Sequence, residues 1–170
     1  GHGGYIDVYS QKRQGTTFHI YLPVSQTETV VKQAAARDLR WGKEAILIID
    51  DEQPILDVTA NMLERLGYKI FKAEGGVEAI EIYRKEKDDI DLVILDMVMP
   101  VMGGLETFER LRALDPNVRV ILSSGYSING QAQDIINHGF RAFIQKPYRL
   151  NELTEKICSV LAYEDSAEKP

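Results

Sequence analysis

The sequence predicts a doubly wound α/β domain, a five-stranded parallel sheet in the order 2-1-3-4-5, preceded by a separate pair of strands. Three observations carry that expectation. From Ala45 onward, short apolar runs alternate with longer amphipathic ones, the rhythm of a parallel sheet with crossover helices. Some of the short runs are apolar throughout, as strands covered on both faces must be. Aspartates stand at the ends of the first and third runs, where an open α/β sheet collects its ligand chemistry.

The chain begins outside this rhythm. YIDVYS and TTFHIYLP read as two strands joined by a turn through QKRQG, and Pro23 ends the second. Two strands cannot bury a core by themselves. From Ser25 to about Glu44 the chain is polar and alanine-rich, with helical propensity in AAARDLR, and reads as a linker. The expected organisation is therefore 1–25, linker 26–43, α/β domain 44–163 and tail 164–170.

Within the domain, AILIID (45–50), YKIFKA (68–73), LVILD (92–96), VRVILS (118–123) and RAFIQ (141–145) are the expected strands. The first, third and fourth are the most continuously apolar and belong at the centre; the second and fifth carry more polar residues and fit the edges. After the first strand, Ile55, Met62 and Leu66 mark a helical stripe, with Pro54 suited to the first turn and Gly67 to the stop. Ala79, Ile80 and Tyr83 mark the second helix. Leu105, Phe108, Leu111 and Leu114 mark the third, and Leu150, Leu153, Ile157 and Leu161 the last. A fourth helix near Gln131 to His138 is short and weakly patterned.

Composition narrows the function. The 170 residues suffice for one well-buried domain plus a fragment. A formal charge of −6 and the lack of a basic stripe argue against direct nucleic-acid binding. No apolar run approaches the ~18 residues of a membrane span, and no secretory signal is visible. The single cysteine, Cys158, lies among apolar residues at helical spacing and reads as a buried, inert thiol, compatible with a reducing cytoplasm.

The chemistry gathers at strand ends. Asp50 and Asp51 end the first strand and Asp96 the third. If those strands are neighbours, their carboxylates meet in one pocket. Two like charges ~4 Å apart repel by ~4 kcal/mol at an effective dielectric near 20, so such a cluster calls for a cation. All-oxygen ligands open to solvent suit Mg²⁺. Read alone, Asp50 and Asp51 also fit solvated acids at a helix start; Asp96 is what favours the pocket. Ser124 after the fourth strand and Lys146 after the fifth point to the same rim. A divalent cation, a hydroxyl and an ammonium around a carboxylate are the parts that stabilise a phosphoryl group in transfer, with Asp96 as nucleophile.

At these residues the span from about Glu44 to Tyr163 resembles a response-regulator receiver domain. The resemblance implies a flavodoxin-like (CheY-like) fold and a phosphoacceptor role for Asp96. It also implies Mg²⁺ held by Asp51, Asp96 and the Val98 carbonyl, with Asp50 acting through a metal-bound water. Ser124 and Lys146 would contact the phosphoryl oxygens, and the Lys146–Pro147 bond would be cis. Ser124 stands where threonine is also frequent. Phe143 stands at a switch position often held by tyrosine, so switching of the fourth-helix, fifth-strand, last-helix face would rely more on packing. GGYIDVYSQKRQGTTFHIYLP is similar to the last two strands of a histidine-kinase ATP-binding domain, which suggests a hybrid sensor kinase as parent. Nothing resembles that domain's asparagine-bearing helix or glycine-rich lid, so this stretch is not expected to phosphorylate anything. The partners implied are a histidine kinase core or a histidine phosphotransfer protein, in the cytoplasm. His2, His19 and His138 read as exposed or capping residues rather than phosphodonors. Two other readings use the same acids: a docking module independent of phosphorylation, and a small Mg²⁺-dependent phosphatase, which the short loops disfavour.

Overall fold

The computed structural model describes residues 3–23, 40–125 and 138–162. The chain forms two compact units, Gly1–Ala36 and Arg37–Pro170. In the first, β1 (Tyr5–Gln11) and β2 (Gly15–Tyr21) pair antiparallel, with Tyr5 opposite Tyr21 and Gln11 opposite Gly15. Arg13 and Gly15, at φ 67° and 101°, supply the left-handed residues of the turn. Alternation puts Ile6, Val8, Phe18 and Ile20 on one face of this hairpin, and all of them are exposed.

In the second unit the strands are β3 (Ala45–Ile49), β4 (Lys69–Ala73), β5 (Leu92–Asp96), β6 (Val120–Ser124) and β7 (Ala142–Gln145). All pair parallel in the order β4-β3-β5-β6-β7, the predicted 2-1-3-4-5. The central β3, β5 and β6 are buried along their whole length; β4 and β7 are partly exposed, as their composition requires at edges.

Helices α1 (Gln53–Glu64), α2 (Gly76–Glu86), α3 (Gly104–Leu114) and α4 (Leu150–Leu161) cover the sheet. On one face Leu47, Leu95 and Leu122 pack with Tyr83, Phe108 and Leu111 of α2 and α3. On the other, Ile48, Ile94 and Ile121 pack with Leu56 and Leu63 of α1 and with Leu153 and Ile157 of α4. Each such side chain contributes about 1.5–3 kcal/mol of burial.

Some details differ from the expectation. The buried face of α1 is Leu56, Thr59, Ala60 and Leu63, whereas Ile55 is half-buried and Met62 is 42% exposed. In α3, Leu105 is exposed and the small residues Gly104 and Thr107 take the inner face. Cys158 is half-buried, its sulfur 3.9 Å from the Tyr68 hydroxyl, rather than sealed in the core. Among the described residues, no helix is long and apolar enough to cross a membrane. The expected fourth helix, except His138, lies outside the described residues, as do His2, most of the linker and the tail.

Candidate functional site

The site is built where the middle strands end. Ile49 of β3 pairs with Leu95 of β5, so the next residues, Asp50 and Asp96, emerge side by side. Backbone bonds fix both: Asp50 N–H donates to the Ala73 carbonyl (3.1 Å), and Met97 N–H donates to that of Ser123 (2.9 Å). Beyond Asp96, Gly104 opens α3 against the strand end, its N–H donating to the Met97 carbonyl at 3.1 Å. A Cβ there would press into the Asp96 carbonyl oxygen and lie 2.8 Å from Met97 Cα, so only glycine lets α3 start this close. In the intervening loop Val101 adopts φ 66°, an uncommon and costly conformation for a β-branched residue.

Carboxylate oxygens of Asp50, Asp51 and Asp96 lie within 4.8 Å of one another. Asp50 and Asp96 are buried, while Asp51 faces solvent. Lys146 bridges the two buried acids, its Nζ 2.6 Å from Asp50 Oδ2 and 2.8 Å from Asp96 Oδ1. The remaining oxygens also accept bonds: Glu52 N–H donates to Asp50 Oδ1 (3.0 Å) and Val98 N–H to Asp96 Oδ2 (3.1 Å). Lys146 is held in turn by its own N–H, which donates to the Ser124 carbonyl at 2.8 Å, and its bond to Pro147 is cis.

The electrostatics follow from burial. Desolvation pushes the Asp96 carboxyl above its ordinary range, against the pull of Lys146. Burial works against the charged form of Lys146, but hydrogen bonds and attraction to Asp50 and Asp96 outweigh it and hold the ammonium's pKa above the usual lysine value. Three carboxylates face one ammonium, leaving an uncompensated negative charge in an all-oxygen cluster with one acid open to water. That donor set fits a hard divalent cation which retains some of its waters.

Asp50, Asp51, Asp96 and Lys146 thus meet as predicted. Val98 is joined to Asp96 through its amide. Ser124 ends β6 and is buried beside them, and Phe143 lies lower on β7, partly buried and paired with Leu122. His19 lies on the exposed hairpin, and the His138 carbonyl accepts a bond from Arg112 at 3.0 Å.

Further features escaped sequence reasoning. Ser123 pairs with Asp96 across the ladder, and among the described residues its buried hydroxyl has no hydrogen-bond partner. Its only signal is a second hydroxyl, next to that of Ser124, at the end of a strand that begins aliphatic. The Tyr148 and Thr59 hydroxyls lie 3.2 Å apart, a contact between residues 89 positions apart that no local pattern announces. Beside Lys146, a groove of about 400 Å³ is lined by Pro54, Ile55, Val58, Met62, Pro147 and Tyr148.

Residues 46–158 match the family described as the response regulator receiver domain. Sensor kinase CckA of Brucella abortus is 31% identical over 175 residues, covering 96% of this chain and 18% of that protein. Thus the chain spans under a fifth of that relative's length. Sporulation initiation phosphotransferase F of Bacillus subtilis is 33% identical, covering 67% of this chain and 90% of that protein. Among solved structures, the response regulator TrrA of Thermotoga maritima in complex with Mg²⁺-BeF is 32% identical with a TM-score of 0.61, covering 69% of this chain and 99% of that one.

Proposed function

The chain belongs to the response regulator receiver domain family, whose members accept phosphoryl groups in two-component signalling, and on that premise we propose that Asp96 is the phosphoacceptor. An oxygen of Asp96 forms the bond to phosphorus as the donor's bond from phosphorus to a histidine nitrogen breaks. The electron pair of that bond leaves on the donor imidazole. Asp96 is suited to this because its backbone is pinned at the strand end, which fixes where its side chain starts at the rim.

Asp51, Asp96 and the Val98 carbonyl would hold Mg²⁺, with Asp50 acting through a metal-bound water, and the ion would supply positive charge to the phosphoryl oxygens when bound. Lys146 turns its ammonium from the free Asp96 carboxylate to a phosphoryl oxygen, and the Ser124 hydroxyl donates to another. That inward pull on Ser124 shifts β6 against β7, and Phe143 repacks on the face that partners read. The observation that carries this reading is Lys146 spanning Asp50 and Asp96 beside a third carboxylate.

The donor is the histidine kinase core or a histidine phosphotransfer protein. The alignment with CckA runs over nearly the whole chain, which supports residues 1–25 as the end of a kinase ATP-binding domain in a hybrid kinase. Incubation with acetyl phosphate and Mg²⁺, followed by intact-mass measurement, tests the acceptor. A single added phosphoryl that Asp96→Asn abolishes is expected; labelling that survives Asp96→Asn overturns the assignment.

A further inference from the structure

Lys146 can neutralise a phosphoryl oxygen only if its loop holds the ammonium in place. Before the cis bond, the Lys146 N–H is tied to the Ser124 carbonyl. Pro147 has no N–H to donate. The next residue, Tyr148, reaches back across the face of the domain, its hydroxyl 3.2 Å from that of Thr59. Thr59 is a polar residue on the core-facing side of α1, 4% exposed among Leu56, Ala60 and Leu63. That helix begins three residues after Asp50, the acid Lys146 contacts at 2.6 Å. The same two residues help line the apolar groove beside Lys146.

We propose that the Thr59–Tyr148 hydrogen bond is a positioning contact, which fixes the Lys146 loop against α1 and so sets where the ammonium meets the phosphoryl group. The inference rests on Lys146 acting in phosphoryl transfer. Thr59 and Tyr148 touch no reacting atom; they act through Lys146. The two residues also separate hydroxyl from bulk: Thr59→Val keeps the shape and loses the hydroxyl, whereas Thr59→Ser keeps the hydroxyl and loses a methyl. Tyr148→Phe leaves a threonine that can bond back to its own helix carbonyl, so the variant folds without an orphaned donor.

The experiment follows labelling by acetyl phosphate at saturating Mg²⁺ by intact mass, with the Mg²⁺ midpoint read separately from the Val98 amide resonance. Losing one neutral hydrogen bond's worth of positioning slows Thr59→Val and Tyr148→Phe by about three- to tenfold, while Thr59→Ser stays within about twofold of the parent. The double variant Thr59→Val/Tyr148→Phe falls no further than the slower single, because both remove the same bond. Mg²⁺ midpoints stay within about twofold throughout, since the metal-holding carboxylates are untouched. Unchanged rates in both singles, Thr59→Ser slower than Thr59→Val, losses that multiply in the double, or Mg²⁺ midpoints that weaken with the rates each overturn the proposal. If the parent protein itself takes up no phosphoryl group, the acceptor reading falls first, and the positioning role falls with it.

Discussion

Replacing Lys146 by Met keeps the aliphatic stem and removes the charge, so it isolates what the ammonium does for the resting site. In the native protein that ammonium sits 2.6 Å and 2.8 Å from two buried carboxylates, with its own side chain 13% exposed. Without it, Asp50 and Asp96 face each other uncompensated. Repulsion at ~4 Å and an effective dielectric near 20 is ~4 kcal/mol, and breaking a buried pair by removing one partner costs ~3–5 kcal/mol. These are two views of one effect and do not add. Because Asp51 opens the cluster to water, the lower figure applies, about 3 kcal/mol, or roughly 1.5 M in urea midpoint at a slope of ~2 kcal/mol per molar. The assay is urea unfolding by far-ultraviolet circular dichroism in EDTA near neutral pH; Trp41, 75% exposed, is a poor reporter. The dependence on pH follows from Asp96. Burial holds its folded pKa above the ordinary carboxyl value of 3.8, so its protonated form stabilises the fold below 3.8 and that contribution is lost as pH rises through the folded value. Removing Lys146 lifts the folded value further, so the variant's deficit shrinks as pH is lowered towards 3.8. Adding Asp96→Asn to Lys146→Met should return about half of the loss by removing one repelling charge. A midpoint equal to or above the parent's would refute the reasoning, because burying the lysine would then cost more than its two partners return.

Other perturbations separate surface, packing and strain. Val58→Asp puts a charge on a groove side chain that is 53% exposed. Acetyl phosphate labelling should hold within about twofold of the parent's, and stability from the urea midpoint within about 0.5 kcal/mol. Gly104→Ala drives a methyl into the Asp96 backbone, and thermal unfolding should show a loss of about 2–3 kcal/mol together with slower labelling. Val101→Gly relieves a left-handed valine, worth about 1–2 kcal/mol, but frees the unfolded chain by about 0.5–1; a net gain near 0.5 kcal/mol should appear in the urea midpoint.

Sheet order was legible because burial on both faces writes itself as unbroken apolarity: AILII, LVIL and VIL could only be central. The acids at their ends followed from that order, since neighbouring strands carry their last residues to one rim. On the α1 face Ile55 and Met62 stand one residue out of phase with the buried Leu56 and Leu63, while Leu66 is buried as expected, and the slip has a physical reason. The outer side of α1 is apolar too, Val58 and Met62 lining the groove, so two stripes compete and periodicity alone cannot choose between them. In α3 the buried face combines Phe108 and Leu111 with Gly104 and Thr107, and at the last two smallness rather than hydrophobicity decides the fit. The bridge from Lys146 to both acids and the Thr59–Tyr148 contact depend on side-chain reach between distant segments, which no local pattern encodes.

With no side chain on Gly104 to separate them, the Asp96–Met97 main chain and the start of the third helix lie in direct contact. Eight residues along, about 12 Å at the rise of a helix, Arg112 grips the His138 carbonyl, and one turn earlier Phe108 stacks on Phe140 at 3.9 Å between centroids. A shift of the Asp96 strand end therefore bears directly on α3, whose Phe108 and Arg112 in turn contact the segment leading into β7.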